Sequence, residues 1–272
     1  MVPPGEPVRS ARNRRVAEAV RLHRAAGRRE AGLTLLEGPH LLLEAVRAGA
    51  DVRLVFALPG DEEAENLARR AGSELVPVTR RVLHRLAPTE HPRGPVAVMA
   101  IPMPVPSGHG RLGDELLVLW GVGDPGNVGT LIRTAAAFGM TVVAGPGTAD
   151  LWSPKVLRAA AGGHFRTPMG RGRSIEELRS QHHRLVATVP EGGVPPWEAD
   201  LGARPALLVG DEAQGLAQEV VEAADLRVTI PMPGGTESVN AAVAGSVLAY
   251  EVLRRRLSGP QPIPPLAIEG RD

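Results

Sequence analysis

Apolar positions change period along the chain, and those changes divide it. From Leu33 to Val98, LTLLEG, VRLVFAL, ELVPV and GPVAVMAI read as strands, and HLLLEAVRAG, EEAENLARRAG and TRRVLHRLA as helices between them. The alternation predicts a small α/β domain. Before it, Val16, Ala19, Val20 and Leu22 recur among arginines, which predicts one basic amphipathic helix from Val8 to about Arg29. Pro102 to Gly113, PMPVPSGHGRLG, has no apolar periodicity and reads as a linker.

The second half repeats the alternation with more apolar strands: ELLVLW, MTVVAG, RLVATV and PALLVG. The helices TLIRTAAAFG, SPKVLRAAAG, SIEELRSQHH and LAQEVVEAA lie between or beside them. Such strands predict a parallel sheet covered on both faces. The last unit runs from strand-like VTIP through a Pro/Gly-rich loop to Ser238 and Asn240, which open an Ala/Val/Leu-rich helix. A rigid helix start beside a flexible loop suits a ligand site. The expected organisation is a domain at 8–101, a linker at 102–113, a second domain at 114–257 and a tail at 258–272.

A hydrophobic content of 43% supports real cores, and 31 basic against 30 acidic residues leave a net charge of only +1. No global nucleic-acid signature follows, but the distribution is uneven. Between Met1 and Gly32, eight arginines against three glutamates leave +5. RNA contact and a solvated helix face both explain that excess. The absence of cysteine excludes disulfide and thiolate chemistry and fits a cytoplasmic protein. No signal peptide or membrane-spanning run is visible, and the eight histidines are scattered, so no metal is expected.

Gly121, Gly123 and Gly126 spell GxGxxG between a strand and a helix, the setting of a dinucleotide site. Two features oppose that reading. Pro125 removes an amide from the loop, and no acidic residue follows near Val142 to Gly145 to hold a ribose.

Three longer segments point elsewhere: DPGNVGTLIRTAAAFGM (Asp124 to Met140), VGDEAQGL (Val209 to Leu216) and IPMPGGTESVN (Ile230 to Asn240). In this order they resemble the three motifs of the SpoU/TrmH family, S-adenosylmethionine-dependent RNA ribose 2′-O-methyltransferases of the SPOUT class. SPKVLRAAAGGHFRTP looks like the segment after the first motif, and LLEGPHLLLEAV and HPRGPVAV look like the substrate-binding domain. The resemblance implies a catalytic domain with a deep trefoil knot and a homodimer with its site at the interface. Two departures are Asp211, where many members carry Asn or a small residue, and SVN for the usual SLN. A hydroxyl is also common in relatives at the position of Ala160.

By position, Gly210, Ile230 and Val239 match the family's cofactor-binding points, with Thr188 a further candidate. Asn127, Arg133, Glu212, Ser238 and Asn240 match the polar residues around the transferred methyl. Arg133 is too basic to be a proton acceptor. The preferred reading is that it grips a neighbouring phosphate and stabilises the developing alkoxide, while a phosphate oxygen or solvent takes the proton. Lys155, Arg158 and Arg166 are expected to meet RNA phosphate. Aromatics are only 3% of the chain, so the first domain would read RNA shape rather than stacked bases. Ribosomal RNA is the expected substrate. The alternatives are transfer RNA, an antibiotic-resistance methylation of rRNA, and a catalytically inactive RNA-binding assembly factor.

Overall fold

The computed structural model describes residues 6–87, 89, 92, 94–102, 112–172 and 174–258. Most of the expected linker, part of HPRGPVAV and nearly all of the tail lie outside them.

The basic N-terminal segment forms two helices, not one. Asn13 caps α1 (Arg14–Arg21) by accepting from Arg15 N at 3.0 Å, and α2 (Ala25–Ala31) follows after a break. Arg28 explains the break. Its Nη1 donates to the carbonyls of Leu22 at 2.8 Å and His23 at 3.0 Å, replacing helical partners that the turn removes. Arg28 is therefore buried, although the sequence pattern grouped it with the exposed basic face.

The strands of the first half are β1 (Leu33–Glu37), β2 (Val52–Ala57), β3 (Glu74–Pro77) and β4 (Val96–Ala100). They form one mixed sheet in the order β1-β4-β2-β3. β4 runs antiparallel to both β1 and β2, while β3 is parallel to β2. The sheet is flanked by α3 (Pro39–Arg47), α4 (Glu62–Ala71) and α5 (Arg80–Leu86). Phe56, Leu35 and Leu86 pack one core, and Leu36, Leu42 and Met99 another.

The second half holds a six-stranded, all-parallel sheet in the order β10-β8-β9-β5-β6-β7. Its strands are β5 (Leu116–Leu119), β6 (Thr141–Ala144), β7 (Met169–Arg171), β8 (Arg184–Thr188), β9 (Pro205–Val209) and β10 (Leu226–Val228). The strand β7 was not expected; three residues around Gly170 are too short to show an alternation. The expected strand VTIP begins and ends earlier, as β10. The helices are α6 (Pro125–Phe138), α7 (Pro154–Ala160), α8 (Ile175–Ser180), α9 (Gln218–Glu222) and α10 (Ala241–Ser258). Leu117, Val142, Val186 and Leu207 face one core, and Leu116, Val118, Val143 and Leu208 the other. Both faces of the sheet are covered, as near-continuous apolar strands require.

The two sheets are joined through α7. α6 and α7 cross at Gly129, where a Cβ would stand 2.4 Å from the Ala159 Cβ and 2.8 Å from the Val156 carbonyl. Leu157, on the far side of α7, enters the first domain's core. Polar contacts surround this junction. Thr34 Oγ1 donates to the Trp152 carbonyl at 2.7 Å, and Arg28 donates to Asp150 Oδ2 from Nε at 3.0 Å and Nη2 at 2.6 Å. Arg166 donates to Glu44 at 2.5 Å, and this bond holds the Glu44 carboxyl below the usual carboxylate range, with Arg47 adding to it.

Arg28 is only 3% exposed, so removing its carboxylate leaves a buried guanidinium supported by two carbonyls alone. Asp150→Ala should lower the unfolding free energy by about 3 kcal/mol in urea titrations. An unchanged midpoint would mean that the pair contributes nothing to the junction.

Candidate active site

In an open parallel sheet, the loops at the strands' C-terminal ends diverge where strand order reverses, and a crevice opens there. Here the reversal lies between β5 and β9: the chain leaves one side toward β6 and β7, and β8 and β10 lie on the other. Three loops meet at this point, after β5, β9 and β10.

The first loop ends in a capped helix. Asp124 accepts from Asn127 N at 2.9 Å, and Pro125 takes the first helical position, where a missing amide is harmless. Asn127 is therefore inside α6 and not its cap. The same geometry disposes of the dinucleotide reading, because a carboxylate already occupies the helix start that a pyrophosphate would need.

With its backbone used in this way, the Asn127 side chain is free to link the other loops. Its Nδ2 donates to Glu212 Oε1 in the second loop. Its Oδ1 accepts from Asn240 Nδ2 in the third, at 2.9 Å. Asn240 in turn caps α10, its Oδ1 accepting from Ala242 N at 2.8 Å and Val243 N at 3.2 Å. One primary amide thus ties all three motifs. The cap of α10 is Asn240, whereas Ser238 stays in the loop.

The second loop is held by its own backbone. Asp211 and Gly215 exchange hydrogen bonds of 3.0 and 3.1 Å, and Asp211 Oδ1 accepts from Ala213 N at 2.8 Å and Gln214 N at 3.0 Å. These amides keep the Asp211 carboxyl below its ordinary range. An Asn Oδ1 could accept the same bonds, which accounts physically for the family's interchange at this position. At Gly210, any Cβ would lie 2.3 Å from the Gly215 carbonyl carbon, so only glycine lets the loop close.

The second and third loops, with the residues that follow β8, line a cavity of about 400 Å³; the first loop is tied to its rim through Asn127. Thr188, Gly210, Ile230 and Val239, which the sequence nominated for the cofactor, all line it, together with Glu212 and Ser238. Leu216 and Met232 add apolar wall that the sequence reading did not single out, and Glu237 a further carboxylate. Thr188 Oγ1 is buried without a hydrogen-bond partner among the described residues, an acceptor and donor left for a ligand. A volume within the usual range for small molecules, apolar walls and a few unspent polar groups fit a nucleoside-bearing cofactor such as S-adenosylmethionine.

The remaining candidates lie elsewhere. Arg133 is exposed on α6, does not line the cavity and has no ion pair among the described residues; the pairing with Glu212 that could have explained it is absent. Lys155 is exposed on α7. Arg158 lies 3.7 Å from Glu37, and Arg166 pairs with Glu44, so both face carboxylates of the first domain. Ala160, where relatives often carry a hydroxyl, is fully buried in the core. A larger opening of about 590 Å³ at Trp120, Thr148 and Arg171 contains none of the nominated residues. Among the described residues, no group of three or more His, Asp or Glu side chains could hold a metal ion.

Comparison with known proteins agrees with this geometry. Residues 115–250 match the SpoU rRNA Methylase family, and residues 13–97 match an MRM3-like substrate binding domain. An uncharacterized tRNA/rRNA methyltransferase of Synechocystis is 35% identical over 94% of this chain and 96% of its own length. The 23S rRNA (guanosine(2553)-2′-O)-methyltransferase RlmP of Bacillus subtilis is 32% identical over 90% of this chain and 98% of its own. The crystal structure of the SpoU methyltransferase AviRb from Streptomyces viridochromogenes, in complex with AdoMet, superposes with a TM-score of 0.80 at 29% identity. That match covers 91% of this chain and all of AviRb. A matched catalytic segment, a matched accessory domain and full-length relatives, joined to three loops linked through Asn127, make this chain a member of the SpoU rRNA methylase family.

Proposed function

We propose that the protein is an RNA ribose 2′-O-methyltransferase that uses S-adenosylmethionine and acts on ribosomal RNA in the cytoplasm. The observation that carries this reading is the cavity lined by Thr188, Gly210, Ile230 and Val239, whose two motif loops are linked by the Asn127 side chain. The naming of RlmP as a 23S rRNA 2′-O-methyltransferase favours rRNA over tRNA. In this reading, 8–101 is the RNA-binding domain and 114–257 the catalytic one.

When bound, S-adenosylmethionine supplies an electrophilic methyl carbon on a sulfonium. The chain's own residues hold and orient. Backbone groups at Gly210, Ile230 and Val239 grip the nucleoside, and Thr188 Oγ1 gains the partner it lacks. Asn127, Glu212 and Asn240 are positioning residues that fix the loops, so that the ribose oxygen approaches along one line. Ser238, exposed beside the cavity, orients the ribose. Arg133 grips the adjacent phosphate bidentately and stabilises the oxygen as it loses its proton to a phosphate oxygen or to solvent. Of the three basic residues nominated for RNA, Lys155 is the one we assign to phosphate; Arg158 and Arg166 serve the domain junction.

Arg133 is outside its own cavity, and a homodimer resolves that separation. On α10, Val243, Val247, Tyr250 and Leu257 are 50%, 41%, 55% and 76% exposed at helical spacing. Thr130, Arg133 and Ala137 are exposed on α6, which packs beside α10, with Phe138 touching Tyr250. A second copy seated on this apolar face would bury it and bring Arg133 to the partner's cavity. The deep trefoil knot belongs to the same reading. α10 is pressed against α6 and β9, where a Cβ on Gly245 would meet Leu131 at 2.5 Å and Val209 at 3.1 Å.

Three outcomes are expected. Gly210→Ala should weaken S-adenosylmethionine binding at least tenfold in calorimetry, because the loop cannot close; an unchanged Kd would remove the second loop from the site. Arg133→Ala and Arg133→Lys should each lower single-turnover methyl transfer to rRNA about 100-fold. A Lys variant near wild-type rate would reduce the role to a point charge. The wild type should be a dimer in light scattering, and Val247→Glu with Tyr250→Glu a monomer; a monomeric wild type refutes the shared interface.

A further inference from the structure

The fold pairs four of the eight N-terminal arginines with carboxylates, Arg28 with Asp150 and three others with glutamates, and leaves Arg9, Arg12, Arg24 and Arg29 without an ion pair among the described residues. Arg14, Arg15 and Arg21 are matched by Glu18, Glu74 and Glu30 at 3.6, 2.6 and 2.8 Å. Arg9 and Arg12 have no carboxylate partner among the described residues. They face Arg81, His84 and Arg85 of α5 across a groove of about 640 Å³, whose other lining residues are Ser10, Ala11 and Val82. Arg81 and Arg85 also have no ion pair among the described residues. Four guanidiniums and an imidazole therefore converge with no acid among them.

The groove is built into the fold. Val8 forms a parallel bridge with Val78, its N–H donating to the Pro77 carbonyl at 2.8 Å and its carbonyl accepting from Thr79 N at 3.1 Å. Val8, Val78 and Val82 are buried in the same core. The arm carrying Arg9 and Arg12 is thus fixed to the sheet immediately before α5 begins. Like charges around one groove repel, and an anion between them reverses the sign of that interaction. No aromatic side chain lines the groove, so bases have nothing to stack on. Guanidiniums at this density match phosphodiester oxygens.

We propose that this groove is a second RNA anchor, gripping the phosphate backbone of structured RNA without reading its bases. It rests on the reading of the protein as an RNA methyltransferase. It adds where RNA is held away from the cofactor cavity. The sheet order puts β1, which docks on α7, at one edge and β3, beside the Val8 bridge, at the other. The arm carrying Arg9 and Arg12 is therefore on the opposite edge of the first sheet from the strand that docks on α7. Substrate affinity should depend on the anchor and methyl transfer should not.

The test compares the full-length protein, an R9A/R12A/R81A/R85A variant and an R14A/R15A/R21A control that removes the paired arginines. Binding of a labelled RNA hairpin of about 20 base pairs is followed by fluorescence anisotropy between about 50 and 200 mM KCl. The groove variant should bind at least tenfold more weakly at low salt, and its log Kd against log salt slope should fall by about 3 to 4. Its S-adenosylmethionine affinity should stay at the wild-type value, which also shows that it is folded. The control should change binding less than about threefold. Equal RNA binding by the groove variant and the wild type, or equal losses in variant and control, would overturn the groove. Either result would leave the methyltransferase reading intact if wild-type protein still methylates rRNA. A wild type that binds the hairpin normally yet transfers no methyl group to rRNA would overturn that reading while the groove stands.

Discussion

The site depends on one side-chain amide. Asn127 gives its Nδ2 to Glu212 and its Oδ1 to Asn240, and so joins loops separated by 85 and 113 residues in sequence. Either loop alone is a short turn with no reason to face the other. The link succeeds because Asp124, three residues earlier, relieves Asn127 of the capping role it would otherwise fill. Asn240 repeats the economy: its Oδ1 caps α10 while its Nδ2 reaches Asn127. Rigid helix starts thus fix the cavity, and the loop backbones between them remain available to a cofactor.

The same logic governs the domain junction. Leu157 supplies apolar contact, but orientation comes from charged and polar pairs: Arg28 with Asp150, Thr34 with the Trp152 carbonyl and Arg166 with Glu44. Such pairs are directional, and breaking one leaves an unmatched buried group. α7 lies against both the first domain's β1 and the second domain's α6, so it carries the contact between the two domains. Arginines near a nucleic-acid enzyme's site are therefore not all for nucleic acid. Lys155 stays exposed while its neighbour Arg158 turns toward Glu37.

Periodicity revealed most of the architecture, because each sheet alternates with helices of ordinary length. It could not reveal the break between α1 and α2, since the cause is Arg28 folding back on carbonyls that look helical in sequence. Nor could it show that β7 exists, as three residues leave no pattern. Resemblance alone nominated Thr188, Gly210, Ile230 and Val239 for the cofactor, and all four line one cavity. The assignment of the helix cap went to Ser238 as well as Asn240, and only hydrogen bonding separates them. Arg158 and Arg166 show the limit plainly: a carboxylate partner 121 or 122 residues away is invisible to local charge.

The central claim is that the loops after β9 and β10, linked by Asn127 of the first loop, form one cofactor pocket. A crystal structure with S-adenosylhomocysteine bound tests it most directly. The account predicts the nucleoside between residues 210–216 and 229–240, bonded to the backbone at Gly210, Ile230 and Val239, with the Asn127 contacts preserved. Density in the opening at Trp120 and Thr148 instead, or a bound state in which Asn127 has released Glu212 and Asn240, would contradict it.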